Sequence, residues 1–457
     1  MSLRTEGNEE LDVYYQRQED EQLYTGNCND STKVKCCKFT PYTYHENINY
    51  IYRMLVLPGL ITTIVIVLVI MGVYQNLIIG IISGIITYIG SLFLSIYIRE
   101  QNRESNFEIP ESDQLPSGED LNVLKEVKLK IGFVGDIMRM RDHKLTFSED
   151  IETFFSDVKI VVGNLEGIVT DKKCKLTKQA HPKEILKPLQ ELLRDNTKWL
   201  LCLCNNHSLD FGNEEFHKSL HIIRRESKID VFGRNDVTNV FVEGEDINIS
   251  TASEWSNQKT WDCISRFSDT NVDPYYSQNK FNIFYPHWGF ENERYVRTNI
   301  QDNARALLTG NNNEKLDLIF GHHPHVRQPI MVVREELKDQ NGVQILDRQG
   351  NRLVLKKFVA FSGGNFTSGV TFWRRKKHIH GIILKCDIGP LEDYTNQLAV
   401  GRVDWEYTVN RIDNNEEEPT KIVEYGEEVG YSRTSLLIMS IVIIAVFILL
   451  KILDFFL

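Results

Sequence analysis

The chain has 457 residues, 42% hydrophobic and 25% charged, which excludes a globally disordered polymer and leaves room for one large domain or two medium ones. Its formal net charge of −11 argues against nucleic acid as a partner, so any polyanionic ligand needs a local cationic site or a metal. The eight cysteines are scattered without a paired CxxC, a pattern of reduced residues rather than a disulfide framework.

Residues 1–50 form a polar, charge-rich arm with no apolar core of its own, and the first apolar run comes too late for a cleavable signal peptide. Met54 to Val73 and Leu77 to Ile98 are each long enough to cross a hydrocarbon core of roughly 30 Å as a helix. The short polar turn Tyr74-Gln75-Asn76 between them predicts a transmembrane hairpin over 51–99, in which Gly80, Ser83 and Gly84 permit close helix contact. A third span is predicted over 435–457, from Leu436 to the C-terminus. Lys33, Lys35, Lys38 and Arg53 precede the hairpin, Arg99 and Arg103 follow it, and none lies in its turn. The positive-inside rule then favours a cytoplasmic middle region. Residues 100–126 read as an acidic linker, and 391–434, with the run Asn414 to Glu418, as an acidic polar tail.

Over 127–390 short β-rich runs alternate with amphipathic helices, which predicts an α/β domain with a layered sheet. The predicted strands are Leu129–Val134, Val158–Val162, Trp199–Leu203, Asp230–Phe232, Phe281–Tyr285, Leu316–Phe320 and Phe358–Phe361. The predicted helices include Ile185–Leu193, Glu214–Arg225 and Thr298–Leu308. Val343–Asp347 and Arg352–Lys357, flanking Arg348-Gln349-Gly350-Asn351, predict a hairpin insertion.

The strand ends carry the chemistry. The first is followed by Gly135-Asp136, the second by Gly163-Asn164-Leu165-Glu166-Gly167, the third by Cys204-Asn205-Asn206-His207-Ser208-Leu209-Asp210. Later ends give Pro286-His287-Trp288-Gly289 and Gly321-His322-His323-Pro324-His325. Asn206 offers a neutral oxygen to a metal, His207 is an acid or base near neutral pH, and Asp210 is close enough in sequence to hold its ring. Singly, each motif has a plain alternative: a polar turn, a helix cap, a satisfied core histidine. Together they place Asp136, Glu166, Asn206, His287, His323 and His325 after strands, at the carboxyl edge where ligands of α/β folds sit. Mixed oxygen and imidazole donors suit one or two divalent ions such as Mn, Fe or Zn.

The order and content of these motifs resemble the calcineurin-like metallophosphoesterases, and more narrowly their capsule-biosynthesis CapA branch, the poly-γ-glutamate synthesis protein family. The residues that carry the resemblance are Gly135–Arg141, Gly163–Gly167, Asn205–Gly212, His287–Glu291, Gly321–Gln328 and Gly364–Phe366, and it covers roughly residues 128–370. It implies a four-layer α/β sandwich beside the transmembrane helices. It also implies Asp136, Glu166, Asn206, His287, His323 and His325 as metal ligands with Glu166 bridging, His207 oriented by Asp210 as the proton donor to the leaving group, and Arg141 and Arg327 as holders of an anionic substrate. Met138 stands where the wider superfamily has a histidine. A thioether is a poor ligand for hard ions, so one metal position is expected to be weakened, a loss the branch shares.

The expected function is that of a membrane-anchored CapA-like protein of capsule or poly-γ-glutamate biosynthesis, a metal-dependent hydrolase of a phosphoester or amide-type bond. Its expected partners are the membrane, an anionic polymer or its precursor, and other membrane subunits of a polymer synthase. The alternative is a non-catalytic scaffold of such a synthase. The resemblance favours an extracellular domain where the charge count favours a cytoplasmic one.

Overall fold

The computed structural model describes residues 109–425, apart from 141–142, 173–177, 243, 245, 259–262, 268–274, 311–314, 340, 370–377, 395–396 and 414–419, together with four helical positions, Gly84, Tyr88, Gly90 and Ser91. Residues 109–425 belong to one compact unit and those four positions to another.

Among the described residues the strands form two large sheets. The ten-stranded sheet contains β1 (Glu119–Asp120), β2 (Leu129–Ile137), β3 (Lys144–Phe147), β4 (Ile160–Leu165), β7 (Lys198–Cys202), β8 (Ile229–Phe232), β15 (Asn365–Thr367), β16 (His380–Pro390), β17 (Leu398–Asp413) and β18 (Thr420–Tyr425). The six-stranded sheet contains β9 (Asn239–Phe241), β10 (Ile247–Ser250), β11 (Phe281–Phe284), β12 (Leu318–Phe320), β13 (Ile330–Glu336) and β14 (Val354–Ala360). A small ladder pairs β5 (Ile168–Val169) with β6 (Ala180–His181). The helices that pack on the sheets are α1 (Glu149–Phe154), α2 (Leu186–Leu192), α3 (Asn213–Ile223) and α4 (Thr298–Thr309).

Period-two burial assigns each strand face to a layer. Phe133, Val162 and Leu200 of the larger sheet meet Ile283, Leu318, Phe320 and Phe358 of the smaller one in a single buried core. Phe133 and Phe320 stack across it with ring centroids 5.2 Å apart. The alternate residues Val134, Val161, Trp199 and Leu201 bury the other face of the larger sheet with Ile151, Leu189, Phe216 and Leu220 of α1 to α3. Phe284, Ile319 and Val359 do the same for the smaller sheet against Ala304, Leu307 and Leu308 of α4. Each fully buried side chain of this size contributes about 2 kcal/mol of transfer free energy. The resulting mixed α/β fold, helix–sheet–sheet–helix, fits a metallophosphoesterase-like domain.

β2, β4, β7 and β8 run parallel, as do β10, β11, β12 and β14. Their carboxyl ends therefore gather the loops that bear the candidate residues. At the end of β2 the pairing with β4 slips between Phe133 and Asp136, a bulge of the kind that re-aims a side chain. The turn before β15 presses on the same point: Asp136 N–H donates to Gly364 O at 2.8 Å. A Cβ on Gly135 would come within 2.0 Å of that carbonyl oxygen, so only glycine allows the approach that fixes Asp136.

The structure departs from the sequence reading at three points. Residues 391–434, read as an acidic tail, contribute β17, the longest strand, and β18. Ala399, Val400, Val403 and Val409 are buried between the charged Arg402, Asp404, Glu406 and Arg411, a half-buried strand pattern that the net charge of the region conceals. The described part of the linker, 109–126, enters the fold as well: Leu115 and Leu121 lie in the core and β1 pairs with β17. The hairpin partner of β14 is β13 rather than Val343–Asp347. The turn at Arg348–Asn351 exists, but its flanks form no continuous ladder: they meet through an isolated bridge, Leu346 to Arg352, and a few backbone hydrogen bonds such as Asp347 N–H to Asn351 O at 2.8 Å. Finally, no helix among the described residues is long and apolar enough to cross a membrane. The three apolar runs expected to do so lie outside the described residues, apart from the four helical positions in the second.

Candidate metal centre at the strand ends

Asp136 is the hub of the cluster. Its Oδ1 accepts from the Asn164 amide at 2.8 Å and lies 3.4 Å from His322 Nδ1. Its Oδ2 accepts from the His323 backbone N–H at 3.3 Å and lies 3.1 Å from His325 Nδ1. The same Asn164 amide donates to Glu166 Oε2 at 3.2 Å, and Asn205 in turn donates to Asn164 Oδ1 at 3.0 Å. This amide chain locks the ends of β4 and β7 together and holds both carboxylates. Glu166 Oε1 lies 3.4 Å from His325 Nε2 and 3.9 Å from His207 Nε2.

From the smaller sheet, His287 and His322 sit side by side because a bridge continues the parallel ladder past β11 and β12. Their Nδ1 atoms are 2.9 Å apart, and His287 Nε2 is 3.1 Å from Asn206 Oδ1. His323 and His325 stand at positive φ, 102° and 59°. Such backbone is rare outside glycine and persists where the surroundings over-determine it, typically at functional sites. Trp255 stacks on the His323 ring at 5.8 Å and forms one wall.

His207 lies beside the cluster with its Nδ1 2.6 Å from Asp210 Oδ2. A carboxylate only accepts, so Nδ1 carries the proton and Nε2 is the nitrogen turned toward Glu166. His207 is 8% exposed, whereas Asp136, Glu166, His287 and His322 are wholly buried; of these groups His207 is the one a substrate can reach. Asn257 on the opposite loop adds its amide 3.2 Å from the same Nδ1.

Burial sets the electrostatics. It would raise Asp136, but the hydrogen bonds and charge of His322 and His325 hold that carboxyl well below its ordinary range. Burial lowers His287, His322 and His323, keeping them neutral. It would lower His325 too, yet Glu166 and Asp136 outweigh it and hold that ring up to about 10. Burial, seconded by the charges of Asp136 and Glu291, pushes Glu166 well above its usual value against the pull of His325.

The donor set fits a divalent cation. Ligand atoms of Asp136, His287 and His322, and of Asp136, Glu166 and His325, lie within 4.8 Å of one another. Glu166 Oε1, His322 Nε2 and His323 Nδ1 are buried without a hydrogen-bond partner. Such orphaned atoms cost on the order of 1–3 kcal/mol each unless something binds them; the neutral rings of His287, His322 and His323 are ready for metal ligation, whereas His325 would give up its proton on binding.

All six expected ligands converge here, as does the pair His207 and Asp210. His322, which the motif reading passed over for its neighbour, belongs to the cluster as well. Arg327 is half-buried with its guanidinium 3.9 Å above the Tyr407 ring, and Arg141 lies outside the described residues. A separate cavity of about 690 Å³, lined by Leu145, Phe147, Ile185 and Pro188 among others, contains none of these ligands.

Residues 130–370 match the family described as "Bacterial capsule synthesis protein PGA_cap". The chain belongs to this family. It is also similar to the "PGA biosynthesis protein CapA" of Bacillus subtilis (strain 168), 26% identical over 252 residues that cover 49% of this chain and 62% of that protein. The match thus spans less than two thirds of the curated relative. Within the PGA_cap region fall every described strand from β4 to β15 and every residue of the cluster.

One residue behind the cluster gives this PGA_cap domain an acid sensitivity. His181 is fully buried and its Nε2 donates to Glu166 O at 2.9 Å. Burial, aided by the Arg139 charge and against that hydrogen bond, lowers it to about 4 from an ordinary 6.5. Between those values the unfolded chain binds a proton that the folded chain refuses, so stability falls as pH drops from about 6.5 to about 4 and no further below. The expected loss is roughly 3 kcal/mol. His181→Gln, which keeps the donor and cannot titrate, should show a shallower decline in melting temperature over that window; an unchanged slope would remove His181 from the account.

Proposed function

We propose that the chain is a metal-dependent hydrolase of capsule or poly-γ-glutamate biosynthesis, cleaving a phosphoester or amide-type bond in an anionic polymer or its precursor. The observation that carries this reading is the His207–Asp210 pair set 3.9 Å from Glu166, at the edge of a buried carboxylate and imidazole cluster. Mn, Fe or Zn, held by Asp136, Glu166, Asn206, His287, His323 and His325 with His322 among them, would supply Lewis acidity and ease the ionisation of water. The chain's own groups do the rest. Asp210 fixes the His207 tautomer, so Nε2 is the atom that carries a proton to the leaving oxygen or nitrogen. The Asn164–Asn205 amides keep Asp136 and Glu166 from turning, and Trp255 screens His323 from water on one side.

Capsule or poly-γ-glutamate synthesis as the setting is supported by family membership and by the printed name of the Bacillus relative. Membrane anchoring is supported by the apolar runs at 54–73, 77–98 and 436–457, and the basic residues flanking the hairpin favour a cytoplasmic domain with a membrane-borne precursor as substrate. Protease added to intact cells should then leave the domain uncut; digestion from outside would place it extracellularly. Substrate class is tested by incubating the purified protein with a phosphodiester and with a γ-linked glutamate oligomer in the presence of Mn²⁺. Release of product from either supports the hydrolase. Bound metal with turnover of neither would favour the second reading, a polymer-handling scaffold, which the thioether of Met138 makes chemically reasonable.

A further inference from the structure

Beside the His207–Asp210 pair lie two half-buried cations, Arg139 and Lys178. Neither is one of the arginines, Arg141 and Arg327, that the motifs single out. Lys178 Nζ donates to Asp210 O and stands 4.6 Å from the centre of the Phe211 ring, and Arg139 Nη1 donates to Lys178 O at 3.3 Å. Backbone contacts fix both. Gly369 N–H donates to Arg139 O at 2.9 Å, and Gln179 N–H donates to Asp210 Oδ2 at 2.9 Å. A Cβ on Gly167 would stand 2.5 Å from Gln179 O, so the chain leading into β6 runs tight against the turn that follows Glu166.

These charges are not neutralised locally. The Asp210 carboxylate is taken by His207 and by the Gln179 N–H, and Lys178 meets only the backbone oxygen of that residue. Among the described residues no carboxylate forms an ion pair with Arg139 or Lys178. Each spends one donor on a carbonyl oxygen and has donors to spare. An anionic substrate nearing Glu166 and Asp210 needs positive charge beside them. We propose that Arg139 and Lys178 form an anion-binding subsite on the flank of His207–Asp210, holding an oxyanion of the substrate, a side-chain carboxylate or a phosphate, next to the reacting group. This inference rests on the reading of an anionic substrate above.

The test uses the full-length protein in detergent, stripped of metal and dialysed free of chelator, titrated calorimetrically with a γ-linked glutamate oligomer and, separately, with inorganic phosphate. Wild type should bind at least one probe, less tightly as salt is added. Arg139→Gln and Lys178→Gln should each bind that probe at least about tenfold more weakly and with a flatter salt dependence. Lys183→Gln, an exposed lysine just beyond β6, should titrate like wild type. A loss on the oligomer names a carboxylate as the group held, and a loss on phosphate names a phosphate. Matching melting temperatures would set misfolding aside. Variants that bind as tightly as wild type, or lose affinity with the salt dependence unchanged, would overturn the subsite alone. A wild type that binds neither probe would overturn it together with the anionic-substrate reading, whereas Mn²⁺ uptake by the same protein reports on the metal centre independently.

Discussion

Asp136→Asn is expected to bind divalent metal at least about a hundredfold more weakly than wild type and to lose its hydrolytic turnover in proportion. The substitution keeps the shape of the side chain but removes a buried carboxylate whose two oxygens between them touch both halves of the cluster. Asn164 donates to it from the larger sheet, while His322, His325 and the His323 N–H approach it from the smaller one. An asparagine in that place must also present an N–H₂ group to one of these partners, at least two of which donate. Without metal the change strips His325 of one of the two carboxylates that hold it protonated, and breaking a buried ion pair from one side costs about 3–5 kcal/mol. The variant should therefore melt at lower temperature in chelator and gain little when Mn²⁺ is added, whereas wild type gains. Metal content, calorimetry and melting curves check this. A variant that keeps its metal would displace Asp136 from the centre of the site.

His207→Ala should separate binding from chemistry. The His207 ring approaches the cluster through its Nε2, 3.9 Å from Glu166, while its Nδ1 faces Asp210. Metal content should stay at the wild-type level while kcat falls by about 10²- to 10⁴-fold, the usual range for a lost general acid. The loss should be steepest for alkyl esters or amides, whose leaving groups need a proton. It should shrink for p-nitrophenyl esters, whose leaving group departs without one. Asp210→Asn should follow the same pattern less severely, because the ring survives but its tautomer and direction are no longer fixed. Equal losses on both substrate types would mean that His207 binds substrate and does not protonate it.

How far this could be read from the sequence follows from the distances involved. Asp136, Glu166, Asn206, His287, His323 and His325 each end a hydrophobic run, so local pattern alone locates them. His322 could not be separated from His323 that way, because strand ends twist and the choice of ring depends on the ladder that continues from His287. Asn164 and Asn205 were visible as motif letters, yet their role as a cross-strand amide chain exists only once β4 and β7 are neighbours. Asn292 N–H reaches Pro324 O across a gap of more than thirty residues, a contact no window of sequence contains. The same holds for β17, whose charged outer face hid its buried Val400, Val403 and Val409.

The most direct measurement is the metal content of the purified protein together with its hydrolysis of bis-p-nitrophenyl phosphate, before chelation, after it, and after Mn²⁺ is restored. The account predicts bound divalent metal, loss of turnover on chelation and its return with Mn²⁺. Turnover that survives complete removal of metal, or a folded protein that neither holds metal as purified nor takes it up, would contradict it.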